Sequence, residues 1–99
     1  MSKLSEKIAI VTGGGKGIGQ AIAQRFAKEG AWVAIWEQDE EAGKATVDQI
    51  AQGGGSAIQV ACDVTNPDSI ASALRQTTEQ LSIPAILVNN AGIAHVGTA

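Results

Sequence analysis

Residues Thr12–Gly19 read TGGGKGIG, with glycine at five of eight positions, directly after the apolar run KIAIVT (7–12). Glycine in the interior of a helix or strand costs roughly 0.5–1 kcal/mol relative to alanine, so an ordinary turn is a poor account of five of them. The amides that open a helix have no intrahelical acceptor, and the helix dipole adds partial positive charge there, so a bare loop leading into a helix is suited to a phosphate. A Cβ on such a loop would stand between the main chain and a diphosphate. The spacing is not G-x-G-x-x-G. It is G-x-x-x-G-x-G, at Gly13, Gly17 and Gly19, and with Gly15, Lys16 and Ile18 these residues form the candidate cradle.

Three further groups lie where strands should end. Glu37 follows AWVAIW (31–36), eighteen residues after Gly19. A carboxylate there can accept both hydroxyls of an adenosine ribose and repels a 2′-phosphate, which points to NAD rather than NADP. Lys16 pulls the other way, since a cation in the loop could attract a 2′-phosphate. Asp63 in CDVT could accept from an adenine amino group, with Val64 beside the ring. NNAG (89–92) supplies two adjacent amides able to bond main chain, followed by Ala91 and Gly92, which leave room for a ribose.

The elements that must position these groups alternate. KIAIVT (7–12), AWVAIW (31–36), AIQVAC (57–62) and AILVNN (85–90) read as short strands, the first buried on both faces. Between them run helical patterns. The first carries Ile18, Ile22, Phe26 and Ala27 on one side and closes at Gly30; the second is DEEAGKATVDQIAQ (39–52), acidic at its start. The third starts in TNPDSI, either with Asn66 as cap before Pro67 or as a capping box of Thr65 with Asp68, and Ile70, Leu74 and Leu81 form its expected buried stripe. Trp32 and Trp36 fall on one side of the second strand, the usual pattern of core residues. Parallel strands joined by helices require right-handed crossovers, and the order 3-2-1-4 puts a switch point between strands one and four. Ligands of open α/β sheets bind there, beyond the carboxyl ends of the strands. The expected fold is therefore α/β, a three-layer αβα arrangement.

Composition excludes several other classes. The 99 residues are 44% hydrophobic and 17% charged, with net charge −3, and no basic stretch exists to neutralise nucleic-acid phosphates. No apolar run approaches the ~18 residues of a membrane span. Nor does the N-terminal stretch have the form of a secretory signal. The single cysteine, Cys62, precludes an internal disulfide and fits a small buried hydrophobe. His95 has no second candidate ligand for a metal. A cytoplasmic protein with no nucleic-acid or membrane partner is the expectation.

With TGGGKGIG, Asp63–Val64 and NNAG in place, the chain resembles the short-chain dehydrogenase/reductase family over essentially its whole length. The resemblance implies hydride transfer between a nicotinamide cofactor and a small alcohol or carbonyl substrate. It places Gly13, Gly17, Ile18 and Gly19 at the diphosphate and Glu37 at the adenosine ribose. Asp63 and Val64 would lie at the adenine, Asn89 within the central sheet, and Ala91 and Gly92 near the cofactor. The family's catalytic Y-x-x-x-K has no counterpart, since the sequence contains no tyrosine. Residues 1–99 are therefore expected to be the N-terminal, dinucleotide-binding portion of a single Rossmann-type domain, without catalytic residues and inactive alone. The full-length protein is expected to form homo-oligomers. Two alternatives stay open: an S-adenosylmethionine-dependent methyltransferase-like fold, and a non-catalytic nucleotide-binding or self-associating fragment.

Overall fold

The uninterrupted apolar run Ile8, Ala9, Ile10 and Val11 buries β1 (Ile8–Thr12) along its entire length. Such a strand needs cover on both faces and a partner on both edges. A computed structural model describes residues 7–90 and shows how the chain supplies them. Strand β1 leads to helix α1 (Gly17–Lys28), then β2 (Trp32–Trp36), α2 (Glu40–Gln52), β3 (Ser56–Val60), α3 (Pro67–Gln80) and β4 (Ile86–Val88). The strands form one sheet in the order β3-β2-β1-β4 with parallel pairing throughout. Ile10 thus lies opposite Ala34 on one side and Leu87 on the other.

The two-residue period of each strand divides the core. Ala9, Val11, Val33 and Ile35 pack with Ala23 and Ala27 of α1 and Ile50 of α2. Ile10, Ala34, Trp36 and Val60 point the opposite way, toward Ala73 of α3 and Cys62. Helices α1 and α2 therefore cover one face and α3 the other. This follows from a single crossover hand: β1 to β2 to β3 moves one way across the sheet, and β3 to β4 moves back past β1. Full burial of each Val or Ile contributes roughly 1.5–3 kcal/mol, so the two inner strands dominate cohesion.

Local signals set the helix ends. At the end of α1, the Gly30 amide donates to the Ala27 carbonyl and the Ala31 amide to Phe26, the two bonds of a Schellman motif, with Gly30 at φ 98°. The same pair of bonds recurs after α2, from Gly54 to Ala51 and from Gly55 to Ile50. Asp39 caps α2 by accepting from the Ala42 amide. Asn66 caps α3 by accepting from Asp68 and Ser69, with Pro67 in the first position. The capping box of Thr65 with Asp68 does not form, because Thr65 bonds backward to Asp63.

Three expectations about the core are corrected. Ile18 is 72% exposed and belongs to no buried stripe; Ala23 and Ala27 are buried there, with Ile22 and Phe26 packed beside them. On α3 the inward line is Ala73 and Thr77, continued by Leu81, while Ile70 and Leu74 are exposed. The reason is Trp36. Its indole fills the space under α3 and donates from Nε1 to Thr77 Oγ1 at 2.9 Å, so the helix turns small and hydroxyl-bearing residues toward it. Trp32 shares the side of β2 that Trp36 occupies but starts the strand, and it is 46% exposed. Among the described residues no helix is long and apolar enough to cross a membrane.

Candidate functional site

The glycine loop leaves β1 at the switch point and is held from below by β2. The Gly13 amide donates to the Trp36 carbonyl at 2.8 Å, prolonging the β1–β2 pairing by one residue. The Gly15 amide donates to Glu37 Oε1 at 3.1 Å. Gly15 also lies flat on the first turn of α2: a Cβ there would sit 2.8 Å from the Gly43 nitrogen and 2.9 Å from the Ala42 carbonyl carbon. Lys16 is extended and makes no side-chain cap to α1. Gly17, at φ 53°, turns the chain into the helix with open space in front of it. Gly19 is buried against the start of the loop, where a Cβ would come within 2.1 Å of the Gly13 carbonyl oxygen and 2.7 Å of Asn90 Nδ2.

The loop's amides thus divide in two. Those of Gly13 and Gly15 are spent on the protein and shape the loop. Among the described residues no group accepts from the amides of Gly17, Ile18 or Gly19, and the first intrahelical bond runs from Gln20 to Lys16. Helix α1 has neither a side-chain cap nor an acidic residue in its first turn, whereas α2 has Asp39, Glu40 and Glu41 and α3 has Asn66 and Asp68. The positive end of the α1 dipole is therefore left to an external anion.

At the carboxyl end of β2, Glu37 is held by both oxygens. Oε1 takes the Gly15 amide, Oε2 takes the Asp39 amide at 3.0 Å, and the main-chain carbonyl takes Gln59 Nε2 at 2.8 Å. Two carboxylate oxygens carry about four lone-pair positions, so each retains acceptor capacity toward a diol. Lys16 reaches over the loop to Asp39, with Nζ 3.0 Å from Oδ2 and both side chains well exposed. The hydrogen bond from Lys16, followed by that from the Ala42 amide, holds the Asp39 carboxyl below its ordinary range; the same contact raises the Lys16 ammonium.

Asp63 lies in the loop between β3 and α3, and its carboxylate accepts from the Thr65 hydroxyl at 2.6 Å and the Thr65 amide at 2.9 Å. These bonds, the hydroxyl first, hold its carboxyl below the usual range. A cavity of about 210 Å³ runs between the ends of β2 and β3, lined by Gly13, Trp36, Glu37, Cys62, Asp63 and Val64 among others. A second, of about 200 Å³, lies across Val64 toward Thr12, Ile70, Leu87 and Asn89. A larger hollow of about 300 Å³ between Gln24, Lys28, Gln49 and Ile50 sits at the ends of α1 and α2, on the amino edge of the sheet, and contains none of the expected site residues. Burial pushes the Cys62 thiol up, consistent with its packing role.

Across the switch point, Thr12 Oγ1 lies 3.3 Å from both the Val88 carbonyl and Asn89 Oδ1. Asn90 Nδ2 donates to the Gly13 carbonyl at 3.5 Å. The sequence singled out Asn89, but Asn90 touches the loop; the adjacent amides were the signal, and the pleat decides which faces Gly13. Asp39 was also missed. Its place in an acidic helix start gave no sign of the bond to Lys16. Ala91, Gly92 and His95 lie outside the described residues. Among the described residues no cluster of His, Cys, Asp and Glu could hold a metal.

Comparison with known proteins places this geometry in context. The profile of the short chain dehydrogenase family matches residues 7–99. A 2,5-dichloro-2,5-cyclohexadiene-1,4-diol dehydrogenase of Sphingobium indicum is 41% identical over 96 residues, which is 97% of this chain and 38% of that protein. The crystal structure of a hydroxysteroid dehydrogenase from Escherichia coli superposes with a TM-score of 0.84 at 38% identity, covering 87% of this chain and 36% of that one. A dehydrogenase/reductase from Sinorhizobium meliloti 1021 gives a TM-score of 0.84 at 44% identity, over 88% and 35%. The chain spans just over a third of the length of these relatives.

Proposed function

The chain belongs to the short-chain dehydrogenase family, and from that footing we propose that residues 1–99 are the dinucleotide-binding portion of an NAD-dependent oxidoreductase. The observation that carries the reading is the open N-terminus of α1 at the switch point, uncapped and without acid in its first turn. The amides of Gly17, Ile18 and Gly19 would bind the diphosphate, while Gly13, Gly15 and Lys16 shape the loop that presents them. Glu37 would accept the hydroxyls of the adenosine ribose, and Asp63 and Val64 would line the adenine end of the cavity between β2 and β3. Asn89 would steady the sheet beside Thr12, and Ala91 and Gly92 are proposed to line the cofactor site. The cofactor, when bound, supplies or takes up the hydride; the described residues bind and orient it.

The substrate class proposed is a small alcohol or carbonyl compound, the chemistry named for the dichlorocyclohexadienediol and hydroxysteroid dehydrogenases. NAD is preferred over NADP because Glu37 offers acceptors where a 2′-phosphate would need donors. The 99 residues hold no tyrosine to serve as the family's proton donor, so this chain alone transfers no hydride. Assembly as a homo-oligomer in the cytoplasm is part of the same reading. Family membership argues against the methyltransferase alternative.

Calorimetric titration of the full chain tests the proposal. Saturable binding of NAD, tighter than that of NADP, is expected, with no NADH oxidation in the presence of carbonyl substrates. Absence of binding by either nucleotide would overturn the site, and tighter NADP binding would overturn the preference. Self-association is favoured by one specific feature: Leu87 and Ile83 are exposed beside β4, which pairs only with β1 among the described residues. Size-exclusion chromatography of nucleotide-free chain separates that reading from the first.

A further inference from the structure

Two carboxylates and one ammonium meet at the end of β2. Glu37 Oε2 accepts from the Asp39 amide, and Asp39 Oδ2 is 3.0 Å from Lys16 Nζ, so the three side chains form a single cluster with a net charge of −1. Lys16 is the one cation of the glycine loop. A phosphate monoester on the ribose would bring a charge of about −1.5 to −2 to this place. It would find the Glu37 carboxylate in front of it and the ammonium of the glycine loop already bonded to Asp39. A ribose diol, being neutral, needs only the acceptors of Glu37.

We propose that Asp39 is a specificity-determining residue, which excludes a 2′-phosphorylated dinucleotide by holding the Lys16 ammonium away from it. Glu37 alone does not account for the discrimination, since Lys16, unheld, could swing to a phosphate on its long stem. Asp39 acts through Lys16 and touches no part of the nucleotide. The inference rests on the dinucleotide reading of the loop.

Asp39 is also the cap of α2, and asparagine caps a helix about as well as aspartate. Asp39→Asn therefore removes the charge and keeps the fold, with Asp39→Ser as a second capping variant. The full chain and its variants are titrated with NAD and with NADP. The expected result is a rise in NADP affinity of about two- to fivefold in Asp39→Asn, the size of an exposed ion pair that no longer competes for Lys16, with NAD affinity unchanged. Adding Lys16→Ala to Asp39→Asn should abolish the gain, and Lys16→Ala should cost more NADP affinity in that background than in the wild type. An unchanged ratio of NADP to NAD affinity in both Asp39 variants, or a gain that survives loss of Lys16, would overturn the proposal while NAD binding by the wild type leaves the site reading standing. Binding of neither nucleotide by any form would overturn both.

Discussion

The Gly15 amide donates to Glu37 Oε1 at 3.1 Å, so the carboxylate at the end of β2 also holds the loop at the end of β1. One residue thus has two duties, and substitution can separate them. Glu37→Gln keeps an acceptor for Gly15 and loses the charge; it should retain stability and lose preference for NAD over NADP. Glu37→Ala removes both contacts, and its urea midpoint should correspond to a loss of roughly 1–2 kcal/mol. Equal midpoints for the two variants would contradict the holding role.

Gly19 and Gly17 are two residues apart and should respond differently to alanine. At Gly19 the new Cβ would meet the Gly13 carbonyl oxygen at 2.1 Å, main chain that cannot move without displacing the loop. A loss of about 1–3 kcal/mol in stability is expected, together with loss of nucleotide binding. Gly17 has open space and a positive φ, so Gly17→Ala carries only the conformational cost, about 1–2 kcal/mol. Denaturation curves compare them directly; a Gly17 variant less stable than the Gly19 variant would refute the packing account.

The bond from Trp36 Nε1 to Thr77 Oγ1 is buried, and the Thr77 hydroxyl in turn donates to the Ala73 carbonyl at 2.8 Å. Thr77→Val preserves shape and strands the indole N–H in the core, which should cost about 1–3 kcal/mol. Trp36→Phe in the Thr77→Val background should cost less than in the wild type, because the orphaned donor goes with the indole. A thermal-shift double-mutant cycle with additive effects would argue against the bond.

Acid should weaken the fold through Asp63 and Asp39, whose carboxyls are both held below their ordinary value of 3.8. A depressed carboxyl contributes stability above its unfolded-state value and loses it as pH falls through the folded-state value. The decline therefore lies below about pH 4, and Asp63→Asn should flatten it. At the alkaline end Lys16, raised above 10.5, contributes below that value and loses its contribution as pH climbs through the folded-state value. Stability measured against pH for wild type and Asp63→Asn checks the acid limb; parallel curves would show that the Thr65 bonds carry no linkage.

Much of this architecture was readable without coordinates. Alternating apolar runs and helical patterns, with Gly30 as a stop, pointed to parallel strands and crossovers, and the expected order 3-2-1-4 is the one the sheet adopts, with Gly13 beside Asn90. Such features depend on covalent geometry and local periodicity, which each segment carries in its own residues. Tertiary structure alone decided that Ala73 and Thr77 face inward rather than Ile70 and Leu74, since a helix pattern gives a stripe but not the shape opposite it, here the Trp36 indole. It decided as well that Gly15 is spent on Glu37 and that Lys16 turns to Asp39, 23 residues on. Those pairings join residues far apart in the chain whose types alone allow many partners, and only the distances created by packing β1 against β2 select among them.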